Sequence, residues 1–184
     1  MKTRRKRVIV FAYEGKNNKN ESLYFSHFKP KNEDFILKAF SSGVSDPLGM
    51  LESTKRKRKA YDYNPREDLT FIFIDGDNPD RYQQIKELQS KLPKDINIIA
   101  TNPTFELWFL NHFKKMGKPS NDKQILKELK RYIPAYEKNL DVFSLVNKHI
   151  DKAIANSLFQ LSLGQDNPKT EVVRMFKENI IKPK

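Results

Sequence analysis

The stretch FIFIDGD, residues 71–77, places four apolar residues directly before an acidic Asp-Gly-Asp turn. A second stretch, VIVFAYEG at residues 8–15, repeats this pattern and ends in Glu14 and a glycine. A buried strand that ends in a carboxylate delivers it to the carboxyl edge of a parallel sheet, where open α/β folds bind ligands. Glu14, Asp75 and Asp77 can share one hard divalent cation there, because Mg²⁺ prefers oxygen ligands. An Asp-Gly-Asp turn with no metal is the alternative, since such turns commonly follow strands.

Apolar runs and helical patterns alternate through the first hundred residues. β-branched and aromatic residues predict four strands, at residues 8–13, 34–40, 69–75 and 96–100. Helices are predicted at residues 21–28 and after Asp46-Pro47 and Asn78-Pro79, where an N-cap residue precedes a proline. The alternation predicts an α/β, Rossmann-like fold with a mostly parallel four-stranded sheet flanked by helices.

The second half of the chain has a helical pattern. Asn102-Pro103 is predicted to open a helix, with the asparagine as N-cap. Further helices are predicted at about residues 122–133, 141–161 and 168–181. The 184 residues therefore form one predicted domain, with an α/β core over about residues 1–101 and a helical extension over about residues 102–184.

The charge of the chain points to a polyanionic partner. Lys and Arg number 35 against 23 Asp and Glu, which gives a net charge of +12, and such a surface attracts nucleic acid. Two basic runs and one loop lysine are the candidate phosphate contacts: Arg4, Arg5, Lys6, Arg7, Lys16, Lys55, Arg56, Lys57, Arg58 and Lys59. The alternative for the second run is the solvated end of a helix, where cations also suit the helix dipole.

Several classes of protein are excluded or disfavoured by composition. The chain has no cysteine, which excludes disulfide scaffolds, Cys-zinc sites and thiol nucleophiles. Its three scattered histidines disfavour a His-rich zinc site. No apolar run approaches the roughly 18 residues of a membrane-spanning helix, so a cytoplasmic protein without a membrane partner is predicted.

Five motifs together make the chain resemble a known family. They are Glu14-Gly15 with Glu21 and Tyr24-Phe25, the D-x-D at 75–77, the stretch NPTFELWFLNHF at 102–113, YEK at 136–138, and NPKT at 167–170. On these residues, and above all on the long 102–113 stretch, the chain resembles the RloB-like family. Members of that family have a Toprim-type fold and are linked to phage defence and abortive infection.

The resemblance implies a specific chemistry. Toprim proteins use the acids that correspond to Glu14, Asp75 and Asp77 to bind Mg²⁺ or Mn²⁺ in phosphoryl transfer, and an acid at the position of Glu21 can hold a second metal. It also implies a nuclease that acts on DNA or RNA and is controlled by a partner ATPase. A homo-oligomer is left open.

Individual residues keep alternative interpretations at this point. Glu21 is either a ligand of a second metal or a helix-dipole partner. Glu106 is either a further ligand or acid/base, or a structural residue of its helix. His112 lies on a different helix face from Glu106 and is interpreted as a structural hydrogen-bond former. The aromatic residues of the 102–113 stretch are interpreted as core packing rather than a base-stacking platform.

Two other functional classes compete with the nuclease. The first is a nucleic-acid-binding or sensing subunit with a vestigial acidic site. The second is an interaction module that regulates a partner ATPase through the helical half, and it predicts an exposed apolar patch on residues 120–180. A nucleotidyl-transferring activity is a weaker option, because the sequence has no obvious cradle for a nucleoside triphosphate.

Overall fold

The structure is a computed structural model that describes residues 5–15 and 20–184. Its strands are β1 (Arg7–Tyr13), β2 (Phe28–Pro30), β3 (Phe35–Ser41), β4 (Leu69–Asp75), β5 (Ile96–Asn102), β6 (Lys169–Thr170) and β7 (Ile181–Pro183). Its helices are α1 (Asn20–Ser26), α2 (Pro47–Lys57), α3 (Pro79–Gln89), α4 (Glu106–Asn111), α5 (Asp122–Tyr132), α6 (Phe143–Val146), α7 (Ile150–Ser162) and α8 (Arg174–Lys177). Short 3₁₀ turns cover Arg58–Tyr61 and Asn147–His149.

The central sheet has the strand order β3-β1-β4-β5-β6. Its first four strands are parallel neighbours, and β6 pairs with β5 in the antiparallel direction. The α/β, Rossmann-like, mostly parallel sheet predicted from the sequence is therefore confirmed, with one short edge strand added. Strands β1 and β4 are buried along most of their length, which explains why they are continuous apolar runs rather than alternating ones.

Helices cover both faces of the sheet. Ile72 and Ile85 belong to a cluster on the face that α2 and α3 cover. Both helices begin as predicted, because the side chains of Asp46 and Asn78 accept hydrogen bonds from backbone N–H groups of the first turn. No helix within residues 5–15 and 20–184 is both long and apolar enough to cross a membrane.

Aromatic side chains fill the opposite face. Phe25 of α1 lies 4.6 Å, centroid to centroid, from Phe73 of β4, and Tyr24 lies 5.5 Å from Phe109 of α4. The interpretation of the 102–113 aromatics as core is confirmed for the three most buried, Phe105, Trp108 and Phe109. The Tyr24–Phe109 pair is edge-to-face, and aromatic pairs in that geometry add roughly 0.5–1.5 kcal/mol each beyond the burial of their area.

The prediction that Asn102 caps a helix is wrong. Asn102 is the last residue of β5, opposite Lys169 of β6, and its side-chain amide donates to the carbonyl of Asp166 at 2.8 Å. The strand therefore continues past the expected boundary, and α4 begins only at Glu106. The added strand β6 is the physical reason, because it supplies backbone partners to residues that would otherwise need a cap.

The predicted helix at 168–181 is also wrong. That segment holds β6, the single helical turn α8 and the start of β7, which pairs with β2. Thr170 contacts Thr101 across the sheet at 3.0 Å between their hydroxyl oxygens. Glu171 accepts a hydrogen bond from the N–H of Ala100 at 3.1 Å. Pairing with distant strands overrides the local helical pattern.

Arg58 is a correction to the list of candidate phosphate contacts. Its guanidinium is buried and donates to Asp95 at 2.7 Å and to the hydroxyl of Thr70 at 3.0 Å. It also lies 4.0 Å from the centroid of the Tyr63 ring. These partners fix the end of α2 against the starts of β4 and β5, so Arg58 acts in the fold.

Replacement of Arg58 by Met is expected to reduce the free energy of unfolding by about 3 kcal/mol, because it leaves Asp95 buried without its charge partner. Urea unfolding at neutral pH measures this. The matched control is Lys59→Met, one residue along and exposed, which should change stability by less than about 0.5 kcal/mol. Equal stability of the Arg58 variant and the native chain would contradict the structural role.

Candidate active site

Acidic side chains meet at the carboxyl edge of the parallel sheet. Glu14 follows β1 directly, Asp75 ends β4, and Glu106 begins α4 just after β5. Glu21 lies in the first turn of α1 and is buried. Because neighbouring parallel strands end at the same edge, the fold brings together acids that are up to 92 positions apart in the sequence.

Asp75 lies at the centre of this group. Burial raises its pKa well above the usual range, and the charges of Glu21, Glu106, Glu14 and Asp77 raise it further, in that order. All four of the other predicted acids are therefore close enough to act on Asp75. A cluster with this excess of negative charge is poised to accept a cation or to retain a proton.

Glu106 is held by three donors. The hydroxyl of Thr104 lies 2.5 Å from one of its oxygens and 3.2 Å from Asp75 Oδ2. The other oxygen accepts from Asn20 at 2.9 Å and from the Tyr136 hydroxyl at 3.1 Å. Since a threonine hydroxyl carries one proton, Thr104 serves one carboxylate at a time and couples the two. Burial, and next the charge of Glu106, raise the pKa of Tyr136, so its hydroxyl stays a donor.

Arg81, in the first turn of α3, is the cation of this edge that the sequence analysis missed. Its guanidinium donates to Glu14 Oε1 at 2.7 Å and to the backbone carbonyls of Asp75 and Ser45 at 2.8 and 2.7 Å. It also lies 3.4 Å from Asp77. A spacing of four residues from Asp77 into a capped helix was the signal that could have identified it.

The turn after β4 is shaped by two residues in different ways. Asp77, not Gly76, adopts the left-handed backbone conformation, with φ at +49°, which is uncommon for a residue with a side chain. Gly76 is required for close approach, because a Cβ there would lie 2.9 Å from Cγ of Asn102. Gly76 therefore makes room for Asn102 beside the acids.

The donor set suits a hard cation, but the geometry is not closed around one. Within residues 5–15 and 20–184, no three Asp, Glu or His side chains converge as ligands of a single metal ion. The carboxylate of Glu14 instead faces Arg81. Carboxylate oxygens are the ligands that Mg²⁺ and Mn²⁺ prefer, and Glu14, Asp75 and Asp77, with Glu21 beside Asp75, are the residues that could hold one.

Two further motif residues also reach this edge. Tyr136 contacts Glu106 as described. Burial raises the pKa of Asp77, and the charges of Arg81 and, more weakly, Lys138 lower it in part. The sequence left the role of this YEK motif open. His112, in contrast, is buried away from the acids and hydrogen-bonds the carbonyl of Trp108 at 2.9 Å, as expected of a structural residue.

Several described cations of the two basic runs lie toward the opposite edge of the sheet. Helix α2 begins near the acids, because Ser45, just before the helix, accepts a hydrogen bond from Arg81. Its 11 residues then extend about 16 Å away from the acids. Arg5 pairs with Asp68 at 3.1 Å, and Arg7 pairs with Asp34 at 3.6 Å, both at the amino ends of strands. These arginines, like Arg58, are already paired within the fold.

The other candidate phosphate contacts differ in what they touch. Lys57 donates to the carbonyl of Ser41 at 2.7 Å, and Lys55 pairs with Glu52 at 2.9 Å. Lys6, Arg56 and Lys59 are exposed. Arg4 and Lys16 lie outside the described residues. Phosphate contact therefore stays a prediction. Among these cations Lys57 reaches back to the carboxyl end of β3, where Ser41 also donates to the carbonyl of Gly15.

The raised pKa of Asp75 predicts a pH-dependent stability in the absence of divalent cations. A carboxyl whose pKa is raised by folding contributes most stability below its unfolded pKa, and that contribution is lost as the pH rises through the folded value. Asp75→Asn removes this loss, so the variant should be more stable than the native chain at pH 8 by at least about 1 kcal/mol. The difference should vanish near pH 4.

Thermal unfolding in EDTA across this pH range measures the effect. Asp80→Asn is the matched control, because Asp80 is exposed in the first turn of α3, and it should follow the native chain at every pH. A native chain that is as stable as the Asp75 variant at pH 8 would show that the acids do not repel one another in solution.

The comparisons with known proteins identify the family. No curated protein sequence matches the chain, and no solved structure matches it. A family model described as RloB-like protein matches residues 9–178, a range that includes every acid of the cluster and almost the whole fold. The chain therefore belongs to the RloB-like family.

Proposed function

We propose that this protein is a metal-dependent nuclease of Toprim type that acts on DNA or RNA in bacterial antiphage defence, in the cytoplasm. The observation that carries the proposal is the placement of Asp75 among four other carboxylates at the carboxyl edge of a parallel sheet. Families with this arrangement of acids use it for phosphoryl transfer, and membership of the RloB-like family supports the same assignment.

In this proposal Glu14, Asp75 and Asp77 hold Mg²⁺ or Mn²⁺, and Glu21 extends the site toward a second ion. The bound ion would supply Lewis-acid polarisation of the scissile phosphate. Glu14 must then exchange Arg81 for the cation, because its Oε1 now accepts from the guanidinium at 2.7 Å. A released Arg81 is free to contact a phosphate oxygen, for which its planar fork of donors is well suited.

Glu106 is the candidate acid or base. Thr104, Asn20 and Tyr136 fix its carboxylate, so a proton gained from an attacking water would stay at a defined atom. Thr104 also reaches Asp75, which gives the proton a short path between the two carboxylates. General acid–base assistance of this kind contributes typically 10²–10⁴-fold to a rate.

The second candidate function is a binding or sensing subunit without catalysis. It is favoured by one observation, the Arg81–Glu14 ion pair, which occupies a carboxylate that a metal would need. The same pair fits a nuclease that is held inactive until a partner ATPase acts. Exposed side chains in the helical half, among them Leu145, Leu158 and Leu163, are compatible with such a partner, and a homo-oligomer remains a prediction.

Cleavage of labelled DNA and RNA with Mg²⁺, Mn²⁺ or EDTA tests the nuclease. Asp75→Asn is expected to reduce cleavage at least about 10³-fold, because it removes the central ligand while preserving shape. Asp80→Asn, exposed and on the same helix turn as Arg81, should cleave normally. Metal-dependent cleavage that survives in the Asp75 variant would contradict the assignment, and nucleic-acid binding without cleavage in all three proteins would favour the sensing subunit.

Replacement of Arg81 by Gln tests its competition with a cation. The substitution removes a positive charge and frees Glu14, so binding of Mn²⁺ to the substrate-free protein should tighten by about tenfold, or roughly 1.4 kcal/mol. Titration calorimetry measures the affinity. Arg81→Lys, which keeps the charge, is the control and should bind Mn²⁺ as the native chain does. Weaker Mn²⁺ binding in the Gln variant would mean that Arg81 supports the site.

A further inference from the structure

A cavity of about 450 Å³ adjoins the acidic cluster on the side of Asp77. It lies between the first turns of α3 and α5 and the loop that precedes β6, so both halves of the chain line it. Asp77 and Asn102 are shared by the cavity and the acidic edge. A ligand in the cavity would therefore be held directly beside the proposed scissile phosphate. Its volume falls in the range of pockets that take small organic ligands.

Side-chain hydrogen bonds hold the walls of the cavity in place. Asn167 accepts from the N–H of Ser120 at 3.0 Å and donates to the carbonyl of the same residue at 2.8 Å. Asn102 is buried and is fixed by the carbonyl of Asp166. Asn121 and Gln124 form a reciprocal capping box at the start of α5. The loops on both sides of the cavity are thus joined by hydrogen bonds of side-chain amides.

The lining suits an uncharged, flat and polar ligand. Among the described residues that line the cavity there is no Lys, Arg or His. Its two acids, Asp77 and Asp166, pair with Arg81 and Lys86 from outside the lining, so the lining itself offers no cation to a free phosphate. Pro79, Pro119 and the ring of Tyr82 offer apolar faces.

Side-chain amides supply the hydrogen-bonding groups of the cavity. In the capping box only Gln124 Oε1 and Asn121 Oδ1 are used. The amide nitrogens of both residues donate to no partner within the described part of the chain. Asn and Gln amides are the groups with which proteins read the edges of nucleobases.

We propose that this cavity binds one unpaired nucleobase of a single-stranded substrate and so places the adjoining phosphate at the acidic cluster. The inference rests on the proposed function for its substrate and adds the structural class of that substrate. A base in a duplex is stacked and paired, and it reaches such a cavity only after it leaves the helix. The nuclease would accordingly act on loops, ends or single strands.

Binding without cleavage tests the inference separately from the nuclease. Short single strands, made both as DNA and as RNA, are compared in EDTA with abasic strands of equal length by fluorescence anisotropy. The native chain should bind the base-containing strand about tenfold more tightly than the abasic one. Whichever strand, DNA or RNA, binds with the higher affinity identifies the sugar that the protein prefers.

Two variants locate the effect in the cavity. Gln124→Glu keeps the capping acceptor but removes the amide donor, and Ser120→Trp fills the space without removing a buried contact. Each should reduce binding of the base-containing strand about tenfold and leave the abasic strand unchanged. Gln84→Glu, an exposed glutamine of α3, and Ser162→Trp, an exposed serine of α7, are the controls for charge and bulk. Circular dichroism checks that all four are folded.

The outcomes separate the two proposals. Equal binding of base-containing and abasic strands by the native chain, or binding of neither, overturns the base site. So does an equal loss for both strands in the two cavity variants. If the protein cleaves no nucleic acid but still binds strands in a base-dependent way, the result would contradict the proposed nuclease and support the base site.

Discussion

Repulsion among carboxylates at one sheet edge is the constraint on which the rest of this site depends. Parallel strands end together, so the acids that follow them are forced into proximity, and both burial and neighbouring charge raise the pKa of Asp75. The chain offsets this repulsion with donors. Arg81 holds Glu14, and neutral donors surround Glu106. A cation would relieve the same repulsion, which is why the cluster is suited to metal chemistry.

The donors come from segments far apart in the sequence, and the packing of the fold delivers them. Asn20 comes from α1, Arg81 from α3 and Tyr136 from the segment after α5. Buried aromatic rings join α1 and α4 to the sheet. Strands β6 and β7 bind the end of the chain to the sheet and to β2. The acidic edge is therefore completed by the helical half, and neither half contains the whole site.

Charge is divided between the two ends of the sheet. The acids occupy the carboxyl edge, while Arg5, Arg7 and Arg58 lie at the amino edge in ion pairs. Each of these ion pairs cancels one positive and one negative charge, so the net charge of +12 is carried by other cations of the chain. A nucleic acid attracted to Arg56 and Lys59 at the end of α2 would still have to extend about the length of that helix to reach the acids. Lys57 and Lys138, in contrast, are exposed cations closer to the acidic edge.

The sequence by itself was enough for the parallel strands, the two proline-led helices and the placement of Glu14 and Asp75 at strand ends. Each of these is encoded locally, in apolar runs, N-cap residues and carboxylates that directly follow strands. The residues that hold Glu106 and Glu14 were missed. No local pattern tells that Thr104 faces Asp75, and the spacing of Arg81 from Asp77 does not reveal its contact with Glu14, 67 positions away.

Long-range pairing decided the remaining features. The two ends of the segment at 168–181 became strands because β5 and β2 offered backbone partners, against its own helical pattern. Arg58, one of five consecutive cations, is buried because it pairs with Asp95, 37 positions away. Burial and partner choice depend on which segments meet, so only the tertiary structure separates a cation that binds a ligand from one that holds the fold.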